Sequence, residues 1–154
     1  MASGDVEPAV RSGTASFVHA FFCGQSLEML ERELATFCRR VDQLEQEGSL
    51  YQNRLFQQTI LNLLGRGSDP CRLTGDVFNE DEALDLFIET KDNTKLFYLW
   101  VNKLFLSYLF QDYRRSLACS DEAIRYVGEV PGLYAVTLFY FFDSLARLAN
   151  LSKK

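Results

Sequence analysis

Two apolar segments in the second half of the chain place the strongest constraint on its fold. Residues 96–110 and 133–149 are apolar on almost every side of a helical wheel, and the polar stretch 111–127 between them is itself compatible with a helix. A helix that is hydrophobic all round is normally buried among other helices. The sequence therefore predicts an all-α protein, built from stacked antiparallel helix pairs and without a sheet.

Apolar residues at helical spacing continue through the first half of the chain. After Ser26, a predicted N-cap, they recur at alternating intervals of three and four residues. A short helix is expected before it, starting at Thr14 or Ser16 and closed by Gly24. The stripe after Ser26 consists of Leu27, Leu30, Leu34, Phe37, Val41 and Leu44.

Further start and stop signals divide the rest of the chain. A helix is predicted over residues 49–64, followed by a loop at 65–75 that is rich in Gly, Ser and Asp. Asn79 begins the next helix, Asp92 or Thr94 the one after it, and Pro131 is placed in the first turn of the last helix. We expect six or seven helices in total.

The domain organisation follows from these signals. Residues 1–13 are small and polar, which predicts a flexible leader. Residues 14–150 are expected to form a single helical-repeat-like domain, because a chain of this length suits one hydrophobic core. Residues 151–154 are expected to be a C-terminal tail.

Charge and cysteine usage exclude several classes of function. A formal net charge of −5 argues against nucleic-acid binding, which needs a basic face. The longest apolar run, residues 133–142, is too short to span a bilayer, and residues 1–13 lack the apolar core of a signal peptide. Four cysteines contain no C-x-x-C pair. We expect a cytoplasmic protein without metal or cofactor, and without nucleic-acid or membrane partners.

Catalytic chemistry has one weak candidate. His19 lies four residues before Cys23, so both side chains can share a helix face, as a nucleophile and its base require. No third orienting group accompanies them. We expect instead a histidine at the edge of the core and a small buried cysteine, and therefore a protein that is not an enzyme.

The predicted core of the stack lies around Trp100 and includes a buried carboxylate. Asp143 directly follows four aromatic residues, 139–142. A buried carboxylate needs a hydrogen-bond or charge partner, and Arg147, Tyr108 and Tyr140 are candidates. A structural ion pair is expected, with a ligand-binding acid as the alternative. The residues predicted to form the core are Trp100, Leu104, Tyr108, Tyr113, Phe141, Asp143 and Arg147.

The segment QDYRRSLACSDEAI, preceded by a helix that carries Trp100, resembles a tetratricopeptide unit. A longer resemblance covers about residues 15 to 150. Its parts are residues 55–84, 96–117 and 130–149, which are similar to the tetratricopeptide-like helical region of large bacterial, cyanobacterial-type proteins. Those proteins join a serine/threonine kinase, an AAA-type ATPase, a GAF sensor and a histidine kinase. The resemblance implies a spacer that relays or scaffolds.

Three functions remain open at this point. The leading one is a non-catalytic interaction module in bacterial signalling, binding a kinase or ATPase component or a second copy of itself. The alternative is a small-ligand sensor with an aromatic pocket near Trp100, Tyr108 and Tyr140, and an enzyme using His19 and Cys23 comes third. Two interaction surfaces are predicted. The first is an open N-terminal end with Phe17, Phe21 and Phe22, and the second is the loop at residues 66–78 with Arg66, Arg72 and Phe78.

Overall fold

The computed structural model describes residues 6–44, 47–132 and 134–151, and within these ranges the chain is helical and contains no strand. This confirms the all-α prediction and the expected number of helices. A 3₁₀ turn at Val127–Glu129 precedes the last helix. The helices are α1 (Val6–Phe22), α2 (Leu27–Gln43), α3 (Glu47–Leu63), α4 (Glu80–Glu89), α5 (Asn93–Leu109), α6 (Tyr113–Ala123) and α7 (Tyr134–Leu151).

Side-chain caps begin four of these helices. The oxygen of each capping side chain accepts a hydrogen bond from a backbone N–H in the first turn, which would otherwise lack a partner. Gly24 follows α1 with a φ of 82°, as predicted for the end of that helix. The caps are Ser26, Asn79, Asp92 and Asp112.

Two predicted boundaries are wrong. The first helix begins at Val6 and not at Thr14, so much of the predicted leader is helical, while residues 1–5 lie outside the described ranges. Gly13, the last residue of the predicted leader, lies within α1, where its position reflects packing. A Cβ atom at Gly13 would lie 2.5 Å from Cζ of Phe37, so a glycine here lets α1 approach α2 closely.

The second wrong boundary lies before the last helix. Pro131 and Gly132 form a turn, in which Gly132 has a φ of 78°, and α7 starts at Tyr134. Leu151, predicted to begin the tail, is the last residue of α7. Residues 152–154 are outside the described ranges.

Helix α5 is the centre of the molecule, as its apolar sequence predicts. It packs against α3, α4, α6 and α7. Connections of a few residues join α2 to α3 and α5 to α6, so the helices within each pair run antiparallel. The buried apolar side chains of α5 are Leu96, Phe97, Leu99, Val101, Leu104 and Leu106.

The buried face of α6 differs from the one predicted. The spacing predicts that Tyr113, Leu117, Ser120, Ile124 and Val127 are buried; Ser120 is buried, but Ile124 is exposed and the other three are half-buried. The Ser116 hydroxyl donates to the Leu104 carbonyl of α5 at 3.5 Å, and the Ser120 hydroxyl donates to Asp143 of α7. Small residues at these contacts let helix backbones approach closely. The buried residues of α6 are Ser116, Cys119, Ser120 and Ala123.

Helix α7 is not buried on all sides, contrary to the prediction for residues 133–149. It packs on α5 and α6 through Ala135, Phe139, Phe142 and Ala146. Phe141, which was predicted to lie in the core, is 57% exposed. The physical reason is position in the stack, because among the described helices nothing packs on the outer side of α7.

Candidate functional site

The outer side of α7 carries a stripe of exposed apolar side chains, called the α7 face below. Tyr140 and Phe141 are 51% and 57% exposed, and Leu148 and Leu151 are 63% and 68% exposed. Tyr134, at the start of the helix, is also partly exposed, but it contacts Phe22 and His19 of α1 and is not counted in the α7 face. Exposed Thr137 and Ser144 lie on the same side of the helix, and several large apolar side chains exposed on one side of a helix are a candidate interaction surface.

Charges along the border of the α7 face are neutralised within the protein. Asp143 accepts hydrogen bonds from the Ser120 hydroxyl and from Nε of Arg147, the latter at 2.8 Å. Arg147 also lies 3.5 Å from Asp121. The hydrogen bond to Asp143 raises the pKa of Arg147. The predicted ion pair is confirmed, although its hydroxyl donor is Ser120 and not a tyrosine.

Two of the three phenylalanines predicted for an open N-terminal end, Phe17 and Phe21, are half-buried against neighbouring rings. Phe17 packs on Phe37 with ring centroids 5.2 Å apart. Phe21 packs on Phe56 and Phe105 at 5.7 and 5.8 Å. Aromatic rings in such tilted or edge-to-face pairs are held by their neighbours.

Phe22 is partly covered by the far end of the chain. It is 41% exposed, and its ring centroid lies 5.9 Å from that of Tyr134 on α7. The predicted surface residues of α1 therefore contribute to the interior of the molecule and to a contact with α7. Phe17 and Phe37 also line an open groove between α1 and α2 together with the exposed Met29, so part of this end is accessible.

The loop between α3 and α4, the second predicted interaction surface, is held by hydrogen bonds to α3 and by a buried aromatic side chain. Phe78 is buried and cannot be a contact residue for a partner. The side-chain amide of Asn62 donates to the carbonyls of Pro70 and Arg72 at 3.1 and 2.7 Å. Arg66 is exposed and lies 3.9 Å from Glu31.

A buried glutamate fixes the end of this loop to α5. Glu80 accepts a hydrogen bond from the Leu73 N–H and another from Nζ of Lys103, both at 2.7 Å. Arg72 pairs with Asp81 and lies 3.9 Å from Glu80. Although Glu80 is in the first turn of α4, its side chain is buried, and Lys103 on α5 supplies the opposite charge.

A cleft of about 1060 Å³ opens between α1, α3, α5 and α7. Its apolar lining includes Phe21, Phe56, Phe105 and Phe142, which contact one another edge to face. Tyr98 and Gln52 also line the cleft. Burial raises the pKa of Tyr98, so its hydroxyl stays neutral at physiological pH.

The three aromatic residues proposed from the sequence for a ligand pocket do not line this cleft. Trp100 is half-buried on α5, with Nζ of Lys103 5.1 Å from its ring centroid. Tyr108 packs on Tyr113 and Phe142, and Tyr140 belongs to the exposed α7 face. These side chains are not brought together, so that version of the pocket is not supported. The cleft depends on how α1 folds back over α3 and α5, which local sequence signals do not reveal.

His19 and Cys23 do not form a nucleophile pair. Both residues are exposed, and the hydrogen bond between them joins the Cys23 N–H to the His19 carbonyl, as in any helix. The His19 ring packs edge to face on Tyr134 at 5.7 Å. No side-chain hydrogen bond connects the imidazole to the thiol.

The other three thiols are buried and lack a metal-binding arrangement. Burial raises the pKa of Cys38 and of Cys119 to about 11, and it also raises the pKa of Cys71. Thiols of this kind are poor nucleophiles. Among the described residues, no group of three or more potential ligands is placed to hold a metal ion.

The comparisons with known proteins do not narrow the function. No family model matches the chain, and no match was found among curated proteins or solved structures. None of the helices in the described ranges has both the length and the apolar character needed to cross a membrane.

Proposed function

We propose that this protein is a non-catalytic helical interaction module that binds a partner through the α7 face. The single observation that carries the proposal is the exposed apolar stripe on an otherwise well-packed helix. In stacked helical architectures each helix pair covers the apolar face of the one before it. An uncovered face of this kind suits an amphipathic helix from another protein or from a second copy.

The charged side chains beside the α7 face are paired within the protein, so this face is suited to an apolar contact. Arg147, at the edge of the stripe, is engaged by Asp143 and Asp121. A docked helix would therefore gain affinity from burial of apolar area, at roughly 25 cal/mol per Å² before the costs of association. We expect binding to depend weakly on salt.

The resemblance in residues 15 to 150 suggests the class of partner. We propose a kinase or ATPase component of a bacterial signalling assembly, for which tetratricopeptide-like stacks serve as scaffolds. The four free cysteines support a cytoplasmic location, since exposed or unpaired thiols persist best in a reducing compartment.

One matched pair of variants tests this proposal. Phe141→Glu places a charge in the middle of the α7 face, and Ile88→Glu places the same charge on α4 at a residue that is 56% exposed. Proteins captured from host lysate by immobilised wild-type and variant chains are identified by mass spectrometry. Sedimentation velocity measures self-association of the same three proteins.

The proposal predicts a signalling component, or a dimer, that is retained by wild type and Ile88→Glu and is lost with Phe141→Glu. Both substitutions lie at exposed positions, so both variants should keep the wild-type thermal midpoint. An identical set of captured proteins and identical sedimentation for all three would exclude the α7 face as the binding surface.

A further inference from the structure

The geometry points to a second binding site, in which the cleft between α1, α3, α5 and α7 holds a neutral, predominantly apolar small molecule that carries one hydroxyl or carbonyl group. This site is separate from the α7 face and does not depend on the function proposed for it. The volume of the cleft, about 1060 Å³, is close to the upper end of the usual range for ligand pockets, roughly 300–1,000 Å³.

The inner wall of the cleft is apolar and held in place. Phe105 is the centre of the wall, with ring centroids 5.8 Å from Phe21 and 5.0 Å from Phe142. Phe21 in turn packs on Phe56 at 5.7 Å. Because each ring is fixed by its neighbours, the cleft is preformed and a ligand would not need to order these side chains, which lowers the entropic cost of binding.

The charges around the cleft favour a neutral ligand. Two cationic side chains, Arg11 and Lys95, and two anionic ones, Asp92 and Glu129, line it. Lys95 is paired with Asp92, with Nζ 2.5 Å from the carboxylate. The formal charges cancel, so neither an anion nor a cation gains a net electrostatic attraction.

A small set of polar groups can orient such a ligand. The Tyr98 hydroxyl and the side-chain amide of Gln52 both belong to residues that line the cleft. Asn102 is fixed behind them, since its amide donates to the Tyr98 carbonyl at 2.8 Å and its oxygen accepts from Thr59 at 3.1 Å. Hydroxyl groups, among them that of Tyr98, and the amides of Gln52 and Asn102 lie beside the apolar wall, and they can pair with a hydroxyl or carbonyl group of a ligand.

Nile red, a neutral apolar dye that contains a carbonyl group, is a suitable probe. Its fluorescence is titrated against the full chain, and the anionic dye 8-anilinonaphthalene-1-sulfonate is titrated in parallel. We expect saturable one-to-one binding of Nile red with a micromolar dissociation constant, at least tenfold tighter than that of the anionic dye. Absence of saturable Nile red binding, or tighter binding of the anionic dye, would overturn the proposal.

Substitutions locate the probe. Ala15 on α1 and Thr94 on α5 line the cleft and are exposed, so Ala15→Trp and Thr94→Trp fill it without disturbing the core. Each should weaken Nile red binding at least tenfold. Ala118→Trp, at an exposed position on α6 outside the cleft, is the matched control and should bind as wild type does.

Two further variants separate the cleft from other surfaces. Tyr98→Phe removes the hydroxyl and should weaken Nile red binding about three- to tenfold. Phe141→Glu alters the α7 face and should leave Nile red binding unchanged. Loss of binding with Phe141→Glu, together with wild-type binding by Ala15→Trp and Thr94→Trp, would place the dye on the α7 face and refute the cleft as a ligand site.

Discussion

Trp100 is a residue whose ring and N–H contribute differently to stability. Its ring is half-buried on α5 and lies under the ammonium of Lys103. The indole N–H is buried and, within the described part of the chain, has no hydrogen-bond partner. Burial of a donor without a partner costs free energy, so removal of that donor alone should cost little.

We therefore predict unequal effects for two substitutions of Trp100. Trp100→Phe should keep the free energy of unfolding within about 1 kcal/mol of wild type, because most of the ring contact remains. Trp100→Ala should lower it by about 2–4 kcal/mol, through lost burial and a cavity beside α5. Urea denaturation followed by circular dichroism measures both. Equal losses for the two variants would show that the N–H is satisfied in solution.

Asp69 makes stability depend on pH. Burial by itself raises the pKa of Asp69, but hydrogen bonds from Arg115 and from the Cys71 N–H, together with the charge of Arg115, outweigh burial and lower that pKa. A carboxylate whose pKa is lower in the folded state stabilises the protein above its unfolded pKa, near 3.9. That contribution disappears as the pH falls through the folded pKa.

The corresponding prediction uses Asp69→Asn, which keeps an oxygen to accept from Cys71 but removes the charge. At pH 7 the variant should be about 0.5–1 kcal/mol less stable, because the pair with Arg115 is partly exposed. The difference should shrink as the pH falls below about 4 and vanish once the pH is below the folded pKa. Chemical denaturation at a series of pH values measures it, and a difference that does not shrink with falling pH would contradict the assignment.

At the scale of elements, Glu80 connects the loop after α3, the start of α4 and the middle of α5. Its carboxylate is buried and joins Lys103 and the Leu73 N–H. Glu80→Gln leaves the ammonium of Lys103 buried without its opposite charge, which typically costs 3–5 kcal/mol. We predict a loss of about that size in the free energy of unfolding.

The double variant Glu80→Gln, Lys103→Met is the control for this pair. It removes both charges and should recover a large part of the lost stability, because no uncompensated charge remains. Hydrogen exchange should show faster exchange of the Leu73 amide in Glu80→Gln. A single variant as stable as wild type would mean that Glu80 is not buried in solution.

Elements with local signals were predictable from the sequence. The caps Ser26, Asn79 and Asp92 are short-range hydrogen bonds between a side chain and the next turn, so sequence spacing is sufficient to find them. The apolar character of residues 96–110 likewise predicted a central helix. In contrast, Gly13 was misread because its role depends on Phe37 in another helix.

The candidate sites could not be predicted for a related reason. The sequence of α7 is apolar on most sides, and whether Phe141 is buried depends on how many helices pack around it. Residues of α1 were expected at an open end, yet Phe22 contacts Tyr134 more than 100 residues later in the chain. Long-range contacts of this kind leave no pattern in a single sequence, and the cleft is formed by them.

At the scale of the whole molecule, the chain is a stack centred on α5 with one side left uncovered. Three clusters of buried residues fill the spaces between α1, α2 and α3, between α3, α4 and α5, and between α5, α6 and α7. The outer side of α7 has no equivalent layer among the described residues. That asymmetry is the basis for assigning partner binding to α7.

Site-specific photocrosslinking in the host tests this assignment most directly. Benzoylphenylalanine is incorporated at position 141 on α7 and, as a control of similar exposure, at position 88 on α4. The account predicts a discrete crosslinked product at position 141, either with a signalling component or with a second copy of the chain, and none at position 88. Absence of a product at position 141, or the same product at both positions, would contradict it.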